Sequence, residues 1–398
     1  MTEKTDEELI NKDEISNSII MQHWEEEDAE NLKPEPSNES SITDLRIIRT
    51  NIDYNLDFLE QSIDKNIDLG PSFQRRSRWT ITQKSLLIES LLMNLPIPPI
   101  FLFEKEYYNY EVVDGRQRLE TIKEFLGNKF KLQNLQYWVE FNGKYFKEFD
   151  LQMQRLLLRR TISATVLLAE STTYDKANIR MILFDRLNTG GTKLNAQELR
   201  NAIYSGPFNK LLLELSSNNR FREIWGIPNP NLNGTSADRE KLENLLKNNT
   251  MYRAMIDSEL VLRFFAIREV IDSDITGSMR ELLDKTMHKY LEIDTATLEK
   301  FKNLFIRSIE KLYDIFGKDA FLNPIAKSGK ARNIYDSLMV GFSRINSQYV
   351  KSNDVIKSNL LKVLKTEGDY ERIITKGNSL DNIRFRVKKA EEILTSNL

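Results

Sequence analysis

The chain has 398 residues, of which 40% are hydrophobic and 29% are charged, and it contains no cysteine. Its 15 glycines and 10 prolines are about half the usual share, which excludes collagen-like and linker-like chains and favours a helix-rich globular protein of roughly two to three domains. The lack of cysteine excludes a disulfide framework, a thiolate metal site and a cysteine nucleophile, and it is typical of the reducing cytoplasm.

The charge is unevenly distributed along the chain. Residues 1–44 carry 14 acidic groups and three lysines, a local balance of −11, and we expect them to form a disordered acidic tail. The remaining residues carry 54 basic and 45 acidic groups, a balance of +9. This sign favours a polyanionic partner such as nucleic acid, because Lys and Arg displace counterions from phosphates, although many enzymes are equally basic.

No segment has the character of a secretion signal or a membrane span. The first 30 residues are acidic, where a signal peptide needs a basic start and an apolar run. The most apolar stretch, residues 86–103, is broken by Glu89, Pro96, Pro98 and Pro99. We therefore expect a soluble cytoplasmic protein without a membrane partner.

From about residue 44 to residue 169 short apolar runs alternate with helical patterns, which predicts an α/β domain at 45–195. Thr80 or Thr82 can cap a helix over residues 81–94, and Pro96 ends it. Apolar runs over residues 99–103, 110–113 and 162–169 predict three strands that could share one small sheet.

Residues 196–398 are almost entirely helical in pattern. Apolar side chains recur every three or four positions over residues 298–316, and Gly317 follows as a C-cap. Residues 260–267 and 279–291 also predict helices. The predicted fold class is α+β, with the tail followed by a small α/β domain at 45–195 and a mostly helical domain at 196–398.

The strongest candidate for chemistry is the turn between a strand and a helix at residues 112–119. Asp114 ends the strand, Gly115 allows the turn, and Arg116 and Arg118 lie in the first helical turn. This arrangement suits phosphate, because a helix start attracts anions and Arg can clamp phosphate oxygens, while Asp114 could hold Mg²⁺ or orient a water. The alternative is that Asp-Gly is an ordinary turn and Asp114 only caps the helix.

Two further clusters have both structural and functional interpretations. Residues 71–79 place three arginines and Trp79 in one loop, which suits a base platform or a tryptophan that anchors the loop to the core. Residues 184–201 contain Gly-Gly-Thr-Lys without the spacing of a Walker A loop. In the same cluster, Asn195 followed by Glu198 indicates a helix N-cap with a capping-box partner.

Together the three clusters resemble the N-terminal domain family of GmrSD-type restriction endonucleases. The patterns are Pro-x-Phe-Gln-Arg-x-x-x-Trp at 71–79, Asp-Gly-x-Gln-Arg-Leu-x-x-Ile at 114–122 and Phe-x-Arg-Leu-Asn-x-Gly-Gly-x-x-Leu-x-x-x-Glu-Leu-Arg-Asn at 184–201. A fourth match lies at 258–264, and the resemblance covers roughly residues 50–345. Such domains are similar to the ParB/sulfiredoxin superfamily, whose α/β core binds or hydrolyses nucleoside triphosphates at an Asp-Gly-Gln-Gln-Arg-like turn. Here Arg116 replaces the first Gln of that turn.

The resemblance implies a nucleoside triphosphate with Mg²⁺ as the ligand of this turn. It implies catalytic roles for Asp114, Gln117 and Arg118, with Asp114 also holding the metal, and it implies that Glu198 shapes the pocket wall. The implied nucleotide-binding residues are Gln74, Arg75, Trp79, Gly115, Arg116, Asn188 and Gly190. A Mg²⁺-dependent triphosphatase is the enzyme activity that this set would support.

Full-length relatives add a second, His-Asn-His-like nuclease domain, which needs histidine as base or ligand. This chain has only His23 in the acidic tail and His288 in a predicted helix, so we do not expect nuclease activity from it alone. His288 fits an ordinary surface or helix-end histidine. A separate nuclease or other defence subunit is the expected partner.

The basic run at residues 384–389 is a candidate DNA contact through Arg384, Arg386 and Lys388, or else a solvated helix face. Two hypotheses of different classes therefore remain. The first is a nucleotide-binding component of a DNA restriction or phage-defence system that controls a nuclease. The second is a non-catalytic DNA-binding or scaffold protein that uses the same phosphate-binding fold.

Overall fold

The computed structural model describes residues 46–69, 79–170, 183, 195–229, 236–271, 273, 277–325, 330–375, 377 and 379–398. These residues divide into a sheet domain that extends to Asn195 and a helical domain that begins at Ala196. The fold is α+β, as the sequence predicts.

The sheet domain alternates strands and helices in chain order. Its elements are β1 (Arg46–Asn55), α1 (Leu56–Ser62), β2 (Ile67–Asp68), α2 (Ile81–Leu92), β3 (Ile100–Glu106), β4 (Asn109–Asp114), α3 (Arg116–Leu126), α4 (Leu151–Leu158) and β5 (Thr161–Glu170). Short 3₁₀ turns at Val139–Phe141 and Phe146–Glu148 lie between α3 and α4.

The five strands form one mixed sheet in the order β1-β5-β3-β4-β2. The predicted strands are β3, β4 and β5, and they share the sheet as expected. Strand β3 runs parallel to β5 and antiparallel to β4, and Phe101 of β3 is opposite Asp114 of β4. The start of β3 therefore lies beside the carboxyl end of β4, where the chain turns into α3.

Helix α2 begins and ends where the local signals predict. Thr80 Oγ1 accepts a hydrogen bond from the Gln83 N–H at 3.3 Å, and Gln83 Oε1 accepts one from the Thr80 N–H at 2.9 Å, which is a complete capping box. The buried face of α2 joins that of α3 in one hydrophobic core under the sheet. Members of this core include Leu87, Ile88, Leu91, Leu119, Ile122 and Phe125.

The helical domain is a succession of helices joined by short connections. Within the described residues these are α5 (Ala196–Ile203), α6 (Pro207–Leu215), α7 (Asn219–Trp225), α8 (Ser236–Asn248), α9 (Thr250–Arg253), α10 (Ile256–Ile271), α11 (Met279–Lys289), α12 (Thr295–Phe316), α13 (Arg332–Arg344), α14 (Asn353–Lys365), α15 (Glu367–Tyr370) and α16 (Leu380–Thr395). Helix α12 ends at Gly317, whose φ of +65° favours glycine. The predicted C-cap is thus confirmed.

Aromatic side chains fill the centre of the helical domain. Phe264 of α10 lies edge-on to Phe305 of α12 at 5.4 Å, and Trp225 of α7 lies edge-on to Tyr335 of α13 at 5.6 Å. These large rings remove much apolar surface from water and prefer such edge-to-face contacts. They explain why α10 and α13 are buried on nearly all sides.

Candidate phosphate-binding site

The turn between β4 and α3 depends on the glycine at position 115. Gly115 has a φ of +94°, a conformation that side chains with a Cβ rarely adopt. A Cβ placed there would lie 2.4 Å from Cγ2 of Ile100, the first residue of β3. The close approach and the positive φ together require glycine at this position.

Helix α3 begins without a side-chain cap, unlike the other helices of the described sheet domain. Asn55, Thr80 and Asp150 each accept a hydrogen bond from the first turn of α1, α2 and α4, at 2.8, 3.3 and 2.8 Å. Gly115 brings no side-chain oxygen to the first turn of α3, and that turn has no acidic residue. The first N–H groups of a helix have no partner inside it and carry the positive end of its dipole, so this start suits an anion.

Arg118 of α3 bonds both to the end of β4 and to the residues that precede β3. Its Nη2 donates to Asp114 Oδ2 at 2.8 Å, and its Nη1 donates to the carbonyl oxygen of Pro98, just before β3. Burial lowers the pKa of Arg118 and the adjacent Asp114 opposes this, but an arginine stays charged at neutral pH in either case. Arg118 therefore positions the end of β4 and the start of β3 relative to α3.

Asp114 differs from Arg118 in its access to solvent. About 39% of the Asp114 side chain is exposed, against 10% for Arg118. Arg118 bonds Oδ2 of Asp114, and the partly exposed carboxylate lies at the surface of the junction. The exposed carboxylate is the feature of this site that a ligand can reach.

The two remaining predicted residues lie on the first turn of α3. Arg116 is buried, and its Nε donates to Glu120 Oε1 at 2.7 Å, one turn along the helix. The carbonyl oxygen of Gln117 accepts a hydrogen bond from Thr121 Oγ1 at 2.7 Å. The sequence-predicted residues 114–118 are thus consecutive around one turn, with two arginines beside the uncapped helix start.

The donor set near Asp114 fits a metal ion only in part. The described residues contain no group of three or more histidine or carboxylate side chains that could hold a metal by themselves. Mg²⁺ in nucleotide sites usually keeps several waters and takes one or two carboxylates plus phosphate oxygens. Asp114 therefore fits a Mg²⁺ ion that arrives with a nucleotide.

Several predicted nucleotide-binding residues have no described position near this turn. Gln74, Arg75, Asn188 and Gly190 lie outside the described residues. Trp79 is described; it is half-buried and packs against the core of the sheet domain, directly before the cap residue Thr80. This position agrees with the interpretation of Trp79 as an anchor for the loop, and a role in nucleotide binding stays a prediction.

The third and fourth sequence patterns meet in the helical domain around Arg200. This buried residue of α5 donates from Nη1 to Glu259 of α10 at 3.2 Å and from Nε to Asp284 of α11 at 2.7 Å. Glu198 is also buried on α5, which begins directly after Asn195. The Glu-Leu-Arg-Asn part of the pattern thus joins three helices, a structural role that the sequence analysis missed.

A second buried ion pair links the fourth pattern to a helix that the patterns do not include. Arg263 of α10 is fully buried, and its Nε lies 3.2 and 3.1 Å from the two carboxylate oxygens of Asp336 on α13, with Nη2 also donating to this carboxylate. The only signal in the sequence was a charged residue inside the apolar run Leu-Val-Leu-Arg-Phe-Phe. Such a residue is buried only when it is paired.

The three predicted DNA contacts divide between two faces of α16. Arg386 is buried, and it donates from Nε to the Arg372 carbonyl at 3.0 Å and from Nη2 to the Gly377 carbonyl at 3.1 Å. Arg384 and Lys388 are exposed, one turn apart. Only these two are placed where DNA could reach them, and DNA contact stays a prediction for both.

His288 lies in the last turn of α11, as expected of a helix-end histidine. It is exposed, and its ring lies edge-on to Tyr204 at 6.4 Å. His23 lies outside the described residues.

The sheet domain and its junction define an α+β protein with a strand–glycine–helix turn suited to anions. Residues 56–205 match the family described as the GmrSD restriction endonuclease N-terminal domain, about two fifths of the chain. This part of the chain is similar to that domain family. The match includes the β4–α3 junction and ends in the connection after α5.

The other comparisons add no relative. No curated protein and no solved structure matches the chain. In the part of the chain that the structure describes, no helix has both the length and the apolar character needed to cross a membrane.

Proposed function

We propose that this chain is the nucleotide-binding component of a DNA restriction or phage-defence system in the cytoplasm. A nucleoside triphosphate with Mg²⁺ binds at the β4–α3 junction and controls a separate nuclease or other defence subunit. The observation that carries the proposal is the start of α3, a glycine turn with no side-chain cap at the end of a strand. This turn lies inside the region that matches a restriction endonuclease domain family.

The residues of the junction have complementary roles in this proposal. Gly115 lets phosphate oxygens approach the backbone N–H groups of the first turn, and Arg116 and Arg118 offset the negative charges of their partners Glu120 and Asp114. Arg118 also holds Asp114 in place through their ion pair at 2.8 Å. Asp114 is the residue that would hold Mg²⁺, and Gln117 adds a polar side chain on the same turn. Bound Mg²⁺ would supply neutralisation of the phosphate charge.

The test is thermal unfolding of the whole chain with ATP, GTP, CTP and UTP, each with and without Mg²⁺. A ligand at about 100 times its Kd stabilises the native state by about 2.7 kcal/mol, which is easily detected. We expect one nucleotide to stabilise the wild type in a Mg²⁺-dependent way. Asp114→Asn should lose the Mg²⁺ dependence, and Arg118→Gln should weaken the stabilisation altogether.

The matched control is Lys123→Gln, which removes a positive charge from the opposite end of the same helix, where Lys123 pairs with Asp64 at the surface. This variant should keep the full stabilisation. If no nucleotide stabilises the wild type at millimolar concentration, or if Lys123→Gln loses as much as Arg118→Gln, the site is not at this junction.

Hydrolysis is a separate question from binding. Release of inorganic phosphate by the wild type but not by Asp114→Asn would make the chain a triphosphatase. Binding without phosphate release would make it a nucleotide-responsive switch. In both cases we expect no DNA cleavage by this chain alone, and cleavage by the purified chain would contradict the proposed division of labour with a separate nuclease.

A further inference from the structure

The segment between α3 and α4 holds several lysines in a fixed arrangement. The Leu132 N–H donates to the Lys144 carbonyl at 3.1 Å, and the Gly143 N–H donates to the Leu132 carbonyl at 2.8 Å. The Lys147 N–H donates to Asn128 Oδ1 at 2.8 Å. These bonds fold the chain back on itself, so that Lys131 lies alongside the stretch from Lys144 to Lys147.

Two of these lysines flank one tyrosine ring. Lys131 Nζ lies 5.1 Å and Lys147 Nζ lies 5.7 Å from the ring centre of Tyr145. Lys144 Nζ lies 5.2 Å from the neighbouring ring of Phe141. Each contact is favourable by itself, but two ammonium groups on one ring also repel each other. Such a pair is most stable when an anion lies near both.

These charges have no carboxylate partner among the described residues. Within the described residues, neither Lys131, Lys144 nor Lys147 forms an ion pair, whereas Lys84 and Lys123 of the same domain both do. Three acidic residues, Glu140, Glu148 and Asp150, occur in the same segment. Asp150 caps α4, where its Oδ1 accepts a hydrogen bond from the Met153 N–H at 2.8 Å. Glu148 is engaged with the backbone, since its Oε2 accepts a hydrogen bond from the Tyr145 N–H at 2.7 Å. In the part of the chain that the structure describes, the three lysines therefore keep their positive charge without an ion pair.

We propose that Lys131, Lys144, Lys147 and Tyr145 form a contact surface for the phosphodiester backbone of DNA, which we name the lysine surface. Exposed lysine side chains bind phosphates as point charges, and the release of counterions from the nucleic acid favours this binding. A tyrosine between them can donate to a phosphate or stack on an unpaired base. The inference deepens the proposed function, because it assigns a place for the DNA of a restriction system.

The ligand is a polymer rather than a single nucleotide. Lys131 and Lys147 are exposed, and the helix start beside Tyr145 belongs to a 3₁₀ turn of three residues, Phe146–Glu148, which is too short to enclose one phosphate group. Several exposed charges on one surface instead suit the repeated phosphates of a nucleic acid strand. The lysine surface is also distinct in sequence from the β4–α3 junction, so the two sites can be tested separately.

The test is a titration of labelled duplex and single-stranded DNA of equal length with the whole chain over a range of salt concentrations. The variant is Lys131→Gln/Lys147→Gln, and the charge-matched control is Arg49→Gln/Lys65→Gln, which removes two exposed positive charges from the same domain. At low salt the variant should bind at least about tenfold more weakly, and its slope of log K against log salt for duplex DNA should be shallower by about 1.8. The control should stay within about twofold of the wild type. Tyr145→Leu should weaken the binding of single-stranded DNA more than that of duplex DNA.

Three outcomes would overturn the lysine surface. They are no binding of either DNA by the wild type at low salt, an unchanged salt slope in the lysine variant, and equal losses in variant and control. Competition by polyglutamate as effective as that by DNA would overturn the assignment to phosphodiesters and point to an acidic protein.

Nucleotide-dependent thermal stabilisation, measured on the same lysine variant, separates the two proposals. If the variant keeps that stabilisation but binds DNA more weakly, both proposals stand. If the wild type binds DNA through these lysines but no nucleotide stabilises it, the lysine surface stands and the nucleotide site falls.

Discussion

Arg118 and Asp114 form an ion pair across one turn of chain, with Nη2 and Oδ2 2.8 Å apart, at the point where β4 becomes α3. Arg118 donates to Asp114 and to the Pro98 carbonyl, and its contact with a phosphate stays a prediction. The pair keeps the turn in shape while leaving the Asp114 carboxylate partly exposed. In this arrangement the arginine positions the carboxylate and the start of α3.

Replacing Gly115 with alanine should destabilise the sheet domain. The new Cβ would lie 2.4 Å from Ile100 Cγ2, and the residue would keep a φ of +94°. Backbone strain and overpacking each cost about 1–3 kcal/mol, so we expect a loss of about 3–5 kcal/mol in the free energy of unfolding, measured with urea. Gly143→Ala is the control, because its φ is +78° but a Cβ there would meet nothing within 4 Å. Equal losses in the two variants would show that contact with Ile100 is unimportant.

Glu89 should make the sheet domain sensitive to acid. It is buried on α2, and its carboxylate accepts hydrogen bonds from the N–H groups of Gln136, Tyr137 and Trp138 at 3.2, 2.7 and 2.9 Å. Burial by itself would raise the pKa of Glu89, but these backbone N–H groups stabilise the charged form and the pKa is lowered. A lowered native pKa means that the carboxylate stabilises the fold above its unfolded pKa, and that this contribution is lost as the pH falls through the native value.

The corresponding measurement compares the wild type with Glu89→Gln by urea unfolding from pH 7 down to pH 3. Hydrogen bonds to a charged group contribute about 1.5–3 kcal/mol, so we expect the variant to be less stable by about that amount at neutral pH. The difference should shrink as the solution is acidified. Glu140→Gln, which changes an exposed carboxylate, should be nearly neutral throughout. A difference that does not depend on pH would show that the charge of Glu89 is unimportant.

Removing one partner of the ion pair between Arg263 and Asp336 should lower the free energy of unfolding strongly, whereas replacing both partners with apolar residues should lower it little. Both side chains are buried, so Asp336→Leu leaves an arginine without its carboxylate and should lose about 3–5 kcal/mol. Replacing both residues, as Arg263→Met/Asp336→Leu, removes both charges and should recover most of that loss. Chemical denaturation of the three proteins completes the comparison. A double variant as unstable as the single one would mean that Arg263 has a role beyond the pair.

Two arginines of α16 should respond differently to substitution. Arg386→Ala removes donors to the Arg372 and Gly377 carbonyls and should lower the free energy of unfolding by about 1–3 kcal/mol. Arg384→Gln, at an exposed position on the same helix, should change it by less than about 0.5 kcal/mol. The test is a pair of melting curves. A stable Arg386→Ala variant with weakened DNA binding would favour the direct DNA contact that the sequence suggested.

Much of the local structure of this protein could be predicted from neighbouring residues. Thr80 with Gln83 marks the start of α2, and Gly317 marks the end of α12, because capping involves groups within about four positions of each other. Strands β3, β4 and β5 were predicted because their apolar runs are short and bounded by charges or glycine. Strand β1 was not among the predicted strands. It lies at the edge of the sheet and carries polar residues along its length, so it lacks the apolar run that identifies a buried strand.

The sequence by itself determined the fold class and the turn at Asp114–Arg118. The turn is recognisable because a strand end, a glycine and a helix start are adjacent along the chain. Only the tertiary structure decided which charged residues are partners. Arg200 is 59 positions from Glu259 and 84 from Asp284, and Arg263 is 73 from Asp336. Local patterns do not carry information about partners at such separations. The same holds for Arg386. It belongs to a basic run that is typical of a DNA contact, but it is buried and bonded to the segment that precedes its helix. Burial and pairing depend on how distant elements pack, and packing is a property of the whole fold.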